Sequence, residues 1–328
     1  MSTSPRESSG WGRTAPWILL AIIILVVPFI LPSRYLLRTL VNIFFFAALG
    51  CAWNIIGGYA GQLSLGHAAF MAMGAYPTAL LLLNYNVPPW LGFIPGVVAA
   101  VVMAFFLGHL VFGLRGPYLA LSTLAFGEIV RILLLHFRDQ TGGSLGVTIP
   151  FRGTDAWKLQ FASEQPYYFI CLVLLGLCLY VTYKVHGSRM GYYLQAIKEN
   201  QDAAENLGID LANNKVRALM ISAALTAVLG GFYVSYFYYI DPDSVCGSDL
   251  SIKILLVAII GGVGTVWGPI IGACILIPLT EASNYFFGSG RAGASLIIYA
   301  VILMMVILFS PKGLISLLPG GARSYRSE

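Results

Sequence analysis

Charged side chains are what this 328-residue chain has least of: Asp, Glu, Lys and Arg together make up 10% of it, against roughly 25% in ordinary soluble domains. No Asp, Glu, Lys or Arg occurs between Arg38 and Arg115, a gap with room for several membrane crossings of about 20 residues each. With 58% apolar residues and a mean hydropathy of +0.80, a water-soluble fold is excluded. The net charge of +5 is spread over connections and tails, with no basic block interleaved with aromatics, so nucleic-acid binding is set aside. Of the five cysteines, Cys51, Cys171, Cys178 and Cys274 fall in apolar stretches and Cys246 stands apart. Neither a disulfide framework nor a metal-ligand spacing emerges, and no metal or cofactor is expected. The chain also lacks Gly-x4-Gly-Lys-Ser/Thr. Gly288-Ser289-Gly290-Arg291-Ala292-Gly293 matches the dinucleotide fingerprint as letters, but no strand precedes it.

What is present is a series of apolar runs. They predict an all-α, polytopic membrane helix bundle with spans at about 16–32, 37–56, 61–83, 88–112, 115–136, 166–185, 214–240 and 292–310, helical because a spanning segment must satisfy its own backbone hydrogen bonds. The stretch 251–280 is broken near its middle by Gly261, Gly262, Gly264 and Gly268, which predicts a re-entrant segment with two short arms. Arg6 and Arg13 precede the run Pro16–Leu31 without a small-x-small site after it, so that run reads as a retained first span. The Lys/Arg bias places 1–15, the 186–213 connection and 311–328 in the cytoplasm around a transmembrane domain over 16–310, with 137–165 on the opposite side. Arg34 and Arg38 run against that bias.

In the inner connection, Ala196-Ile197-Lys198-Glu199-Asn200-Gln201-Asp202-Ala203-Ala204-Glu205-Asn206-Leu207-Gly208 is rich in helix formers and ends on a glycine suited to a left-handed C′ position. The expectation is one short helix over 196–208, with Lys198 and Asp202 paired at i,i+4 and Ala203, Ala204 and Leu207 forming a smooth patch. An ordinary amphipathic connector would look the same. Position in the longest inner loop favours a docking role.

Asp-Ala-Ala-x3-Gly resembles the Glu-Ala-Ala-x3-Gly core by which ABC importer permeases dock onto their ATPase subunits, although the Leu-Pro that follows in that pattern is missing here. Gly58-Tyr59-Ala60-Gly61-Gln62-Leu63-Ser64-Leu65-Gly66-His67-Ala68-Ala69-Phe70, Gly116–Leu124, Thr141-Gly142-Gly143-Ser144, Ile260–Thr265 with Trp267-Gly268-Pro269, and Ser310-Pro311-Lys312-Gly313-Leu314 resemble, in order, segments of branched-chain amino-acid ABC importer permeases of the Liv type. The resemblance implies a second permease subunit, two ATPase subunits, an extracytoplasmic solute-binding protein and a lipid-embedded chain in a bacterial inner membrane that is not itself the ATP-hydrolysing enzyme. It also implies branched-chain amino acids as cargo, although urea and short amides travel through similar permeases.

Gln62, Ser64 and His67 supply polar groups without fixed net charge amid glycines, and so are candidates for a translocation path; close packing through small residues is the plainer reading. Ile55-Ile56-Gly57-Gly58 is echoed by Ile259-Ile260-Gly261-Gly262, and paired broken segments flank binding sites in some transporters. Glu128 and Arg131, at i,i+3 within the fifth span, read as a mutually neutralising structural pair. An ion-coupled transporter would need further embedded acids. An intramembrane enzyme would need a convergent site, but His67, His109, His136 and His186 are scattered.

Overall fold

Charge-free runs become helices here because helix is the only open-chain form that meets its backbone hydrogen bonds in lipid. The computed structural model describes residues 25–30, 33–114 and 116–287, with positions 304, 313 and 314. Most of the expected spans 16–32 and 292–310, the 288–293 segment and most of both tails lie outside the described residues. Helix α1 is described over 25–30. There follow α2 (Arg34–Asn54), continued as a π-helical turn Ile55–Tyr59, then α3 (His67–Tyr85), α4 (Pro89–Val111), α5 (Pro117–His136), α6 (Arg138–Thr141) and α7 (Gln165–His186). The chain continues through α8 (Arg189–Glu199), α9 (Gln201–Asn206), α10 (Leu211–Phe237), α11 (Pro242–Cys246), α12 (Ser248–Gly261) and α13 (Gly268–Phe287). Seven described stretches are long and apolar enough to cross a membrane, and the bundle is an all-α, multi-pass one.

Helices α3, α4 and α10 pack through glycine. A Cβ on Gly230 would lie 2.1 Å from Met71 O, one on Gly74 would lie 1.9 Å from Ala227 O, and one on Gly96 would lie 2.9 Å from Gly74 Cα. These backbones touch because no side chain intervenes, which is how helices gain dispersion contact where lipid offers no hydrophobic drive.

Two expectations change. The third span begins at His67, not at 61: Gly61 takes φ +65, and the non-helical stretch after it is held by Trp53 Nε1 donating to Ser64 O at 2.8 Å. The break in 251–280 falls at its glycines as expected, with Gly262 at φ +131, and its first arm is short as expected, but its second is longer. The arm before the break is α12, with 14 residues or about 21 Å at 1.5 Å per residue, set off from the short α11 by the extended Gly247; the arm after it, α13, runs for 20 residues. They form a tight hairpin, since a Cβ on Gly272 would lie 1.9 Å from Val257 O.

The bundle has two distinct ends. At one, Val147–Thr148 (β1) pairs antiparallel with Tyr239–Ile240 (β2), joining the 137–165 connection to the α10–α11 turn. At the other lie α8, α9 and the hairpin turn 262–267. Gly313 sits there too, since a Cβ on it would lie 2.4 Å from Gly262 Cα.

Candidate functional site

Where the π-helical turn meets the hairpin turn, the two glycine-broken segments come together. Asn54, fully buried, clamps two consecutive residues of the hairpin turn: its Oδ1 accepts from Gly264 N at 2.8 Å and its Nδ2 donates to Thr265 O at 2.8 Å. Only glycine fits at the meeting point, because a Cβ on Gly58 would lie 2.7 Å from Gly264 N. The π-helical turn ends α2 and hands the chain to the non-helical 60–66 loop. The sequence hints at this pairing through the repeated Ile-Ile-Gly-Gly, but it gives no sign that Asn54 joins the two.

This junction borders a cavity of about 830 Å³, whose walls include Tyr59, Tyr183, Gln195, Lys198, Glu199 and Trp267. Gln62, Ser64 and His67 do not border it. All three are buried and hydrogen-bonded within the chain. Gln62 Nε2 donates to Ala60 O at 2.9 Å. Ser64 Oγ lies 3.2 Å from His67 Nδ1, His67 Nε2 lies 2.8 Å from Ser222 Oγ, and Ser222 Oγ donates to Ala52 O at 2.6 Å. This relay ties α2, the 60–66 loop, α3 and α10 together.

The 196–208 segment is two helices rather than one. Asn200 is extended (φ −157, ψ 112), and its Oδ1 accepts from Asp202 N at 3.0 Å and Ala203 N at 3.1 Å. Asn competes for backbone donors as an N-cap more effectively than it sustains a helix interior. Lys198 and Asp202 therefore belong to different helices and lose the i,i+4 geometry. Ala204 is buried against its own chain at 2% exposure, while Leu207 stands 81% exposed and Ala203 is open. Gly208 adopts φ +82, the left-handed conformation anticipated for it. Beneath α9, the buried Lys215 donates from Nζ to Gln201 Oε1 at 3.0 Å, a support with no signal in the sequence.

Glu128 and Arg131 meet, with Nε 2.8 Å from Oε2, and a third member joins them: Arg131 Nη1 lies 2.8 Å from Asp243 Oδ1. The side chains are 36%, 27% and 69% exposed in that order, and Asp243 follows β2 on α11, which places the group toward the 137–165 end. Glu281 is a second acid on an apolar helix. It accepts from Asn42 Nδ2 at 3.2 Å, and nearby the Lys253 ammonium lies 4.3 Å from the Phe46 ring centroid. Glu281 lies just past the 251–280 stretch, and neither residue's contact with α2 has a local signal in the sequence. Among the described residues, no group of three His, Cys, Asp or Glu could hold a metal ion.

A multi-pass bundle with two apposed helix breaks at one end, beside a pair of short surface helices, defines a membrane protein of the transport class. Residues 35–308 match the family model described as the permease component of the branched-chain amino acid transport system, and the chain belongs to that family. It is 30% identical over 290 residues to the high-affinity branched-chain amino acid transport system permease protein LivM of Escherichia coli K12, covering 81% of this chain and 67% of that one. Similarity extends to LivH of the same organism, at 24% over 289 residues, 82% of this chain and 91% of that one. A probable LivM of Methanocaldococcus jannaschii is 22% identical over 238 residues, 67% of this chain and 68% of its own length. No solved structure matches.

Proposed function

We propose that this chain is one permease subunit of an ABC importer that moves branched-chain amino acids across a bacterial inner membrane by ATP-driven alternating access. The observation that carries the reading is the family match over 35–308. A second permease subunit, two ATPase subunits and an extracytoplasmic solute-binding protein complete the assembly, and ATP is hydrolysed outside this chain. The end bearing α8, α9 and the 262–267 turn faces the cytoplasm together with both tails, and 137–165 faces the binding protein. The ATPase contact is the open surface of α9 around Asp202, Ala203, Leu207 and Gly208; Ala204, being covered, supports it from beneath. The 60–66 loop borders the path through Gly61 and Leu63, which are open, while Gln62, Ser64 and His67 hold its shape. Glu128 and Arg131, joined by Asp243, brace α5 against α11.

An exposed leucine next to a terminal glycine suits a partner's apolar cleft. Leu207→Glu places a charge there without disturbing the chain's own core. Purified from membranes with its partners, the Leu207→Glu complex should lack most of its ATPase subunits and all ATP-dependent leucine uptake, at normal permease yield. A full ATPase complement with normal uptake would falsify the docking surface. ATP-independent, cation-driven uptake by the unaltered chain would replace the importer reading with an ion-coupled one.

A further inference from the structure

Lys198, in the last turn of α8, lays its side chain along both glycine breaks. A Cβ on Gly61 would lie 2.9 Å from Lys198 Cγ, 3.4 Å from its Cβ and 3.6 Å from its Cα. The backbone of α8 is thus one van der Waals layer from Gly61, and the lysine stem fills that layer. Further along, a Cβ on Gly264 would lie 3.1 Å from Lys198 Nζ. Both glycines have positive φ, +65 and +86, so each break is fixed in a shape that presents bare backbone to this one side chain. Gly58 abuts Gly264, and Asn54 bonds to Gly264 and Thr265 of the turn. Close-packed groups transmit displacement because they have no free volume to absorb it, and coupling between distant sites travels through such contiguous contacts when they have two arrangements.

We infer that Lys198 is a positioning residue, a clasp whose aliphatic stem carries movement of the α8–α9 pair to the glycine breaks at Gly61 and Gly264. The inference rests on the reading of α9 as the ATPase contact and adds the route by which that contact reaches the path. The stem does the mechanical work, so the ammonium is dispensable. Lys198 is exposed at the surface, and its replacement leaves the core intact.

The test uses the whole importer reconstituted in vesicles with binding protein and leucine, comparing Lys198→Ala with Lys198→Met and recording uptake and ATP hydrolysis together. Lys198→Ala should retain its ATPase subunits and hydrolyse ATP, while leucine moved per ATP falls by at least about fivefold, the lower end of usual coupling strengths. Lys198→Met, which keeps the stem, should move leucine per ATP as the unaltered chain does. An unchanged ratio in Lys198→Ala overturns the clasp. Equal loss in both variants overturns it too, since charge would then carry the coupling. Loss of ATPase subunits from Lys198→Ala would make Lys198 a docking contact, overturning the clasp and leaving the importer reading in place. Failure of the unaltered chain to hold any ATPase would overturn both.

Discussion

Arg131 is the best single position for weighing charge in this protein, because its guanidinium serves two carboxylates on different elements, Glu128 of α5 and Asp243 of α11. Partial exposure limits what each contact contributes, and pairs of this kind in water are worth about 0–1 kcal/mol. Removing Arg131 ends both contacts and leaves two acids facing each other. Removing Glu128 ends one contact and leaves Arg131–Asp243 in place. Arg131→Gln should therefore lower thermal stability in detergent by about 1 kcal/mol, more than Glu128→Gln does. Combining Glu128→Gln with Arg131→Gln should recover part of that loss. A lone Glu128→Gln as damaging as Arg131→Gln would mean that Asp243 contributes nothing. The i,i+3 spacing makes the Glu128–Arg131 contact legible in the sequence. Asp243 lies more than a hundred residues away, so no local pattern reveals it.

At the scale of elements, side-chain caps decide where the inner connection turns. Asp210 precedes α10 and accepts from Asn213 N through Oδ1 at 2.9 Å. Hydrogen bonds from the Asn213 backbone and side chain hold the Asp210 carboxyl below its ordinary value. A carboxyl lowered on folding stabilises the folded form above its unfolded value, and the contribution is lost as pH falls through the lower folded value. Protection of the amides at the start of α10, meaning exchange relative to the intrinsic rate at each pH, should therefore be constant at neutral pH and fall once pH drops below the ordinary carboxylate range. Asp210→Asn retains a capping oxygen and should flatten that dependence; an equally steep acid response in this variant would assign it to another group. The long spans were legible because apolar runs of about 20 residues have one low-energy form in lipid. Less legible was the split at Asn200, where helix propensity summed over the window masks one residue that prefers to cap. The 60–66 loop was hidden for a similar reason, its apolar composition continuing a run that its backbone leaves.

For the whole molecule, arrangement around the bundle supplies what a linear reading lacks. Two stretches sharing Ile-Ile-Gly-Gly lie some two hundred residues apart, and only the bundle brings Gly58 against Gly264. The proposed orientation is open to a direct test through Ser144, which is exposed in the 137–165 connection. Cys246 is buried, and Cys274 is the exposed cysteine among the described residues, so the useful background is Cys274→Ser. In that background Ser144→Cys should react with a membrane-impermeant thiol reagent added outside intact cells. Reaction only after the cytoplasmic face is opened would invert the bundle.

The hairpin of α12 and α13 also bears on how the chain enters the membrane during synthesis. Lys253 lies on one arm and Glu281 on the other, and a Lys or Asp at the centre of a lone inserting helix costs about 2.5–3.5 kcal/mol. With a short glycine-rich turn between them, the two arms emerge from the ribosome in quick succession and can leave the translocation channel as one body. Each charge then reaches lipid depth with polar or aromatic company on a neighbouring helix: Asn42 for Glu281 and the Phe46 ring for Lys253. Because α2 precedes the hairpin in the chain, those companions are already in the membrane when it arrives, and order of synthesis becomes part of what makes these two charges tolerable.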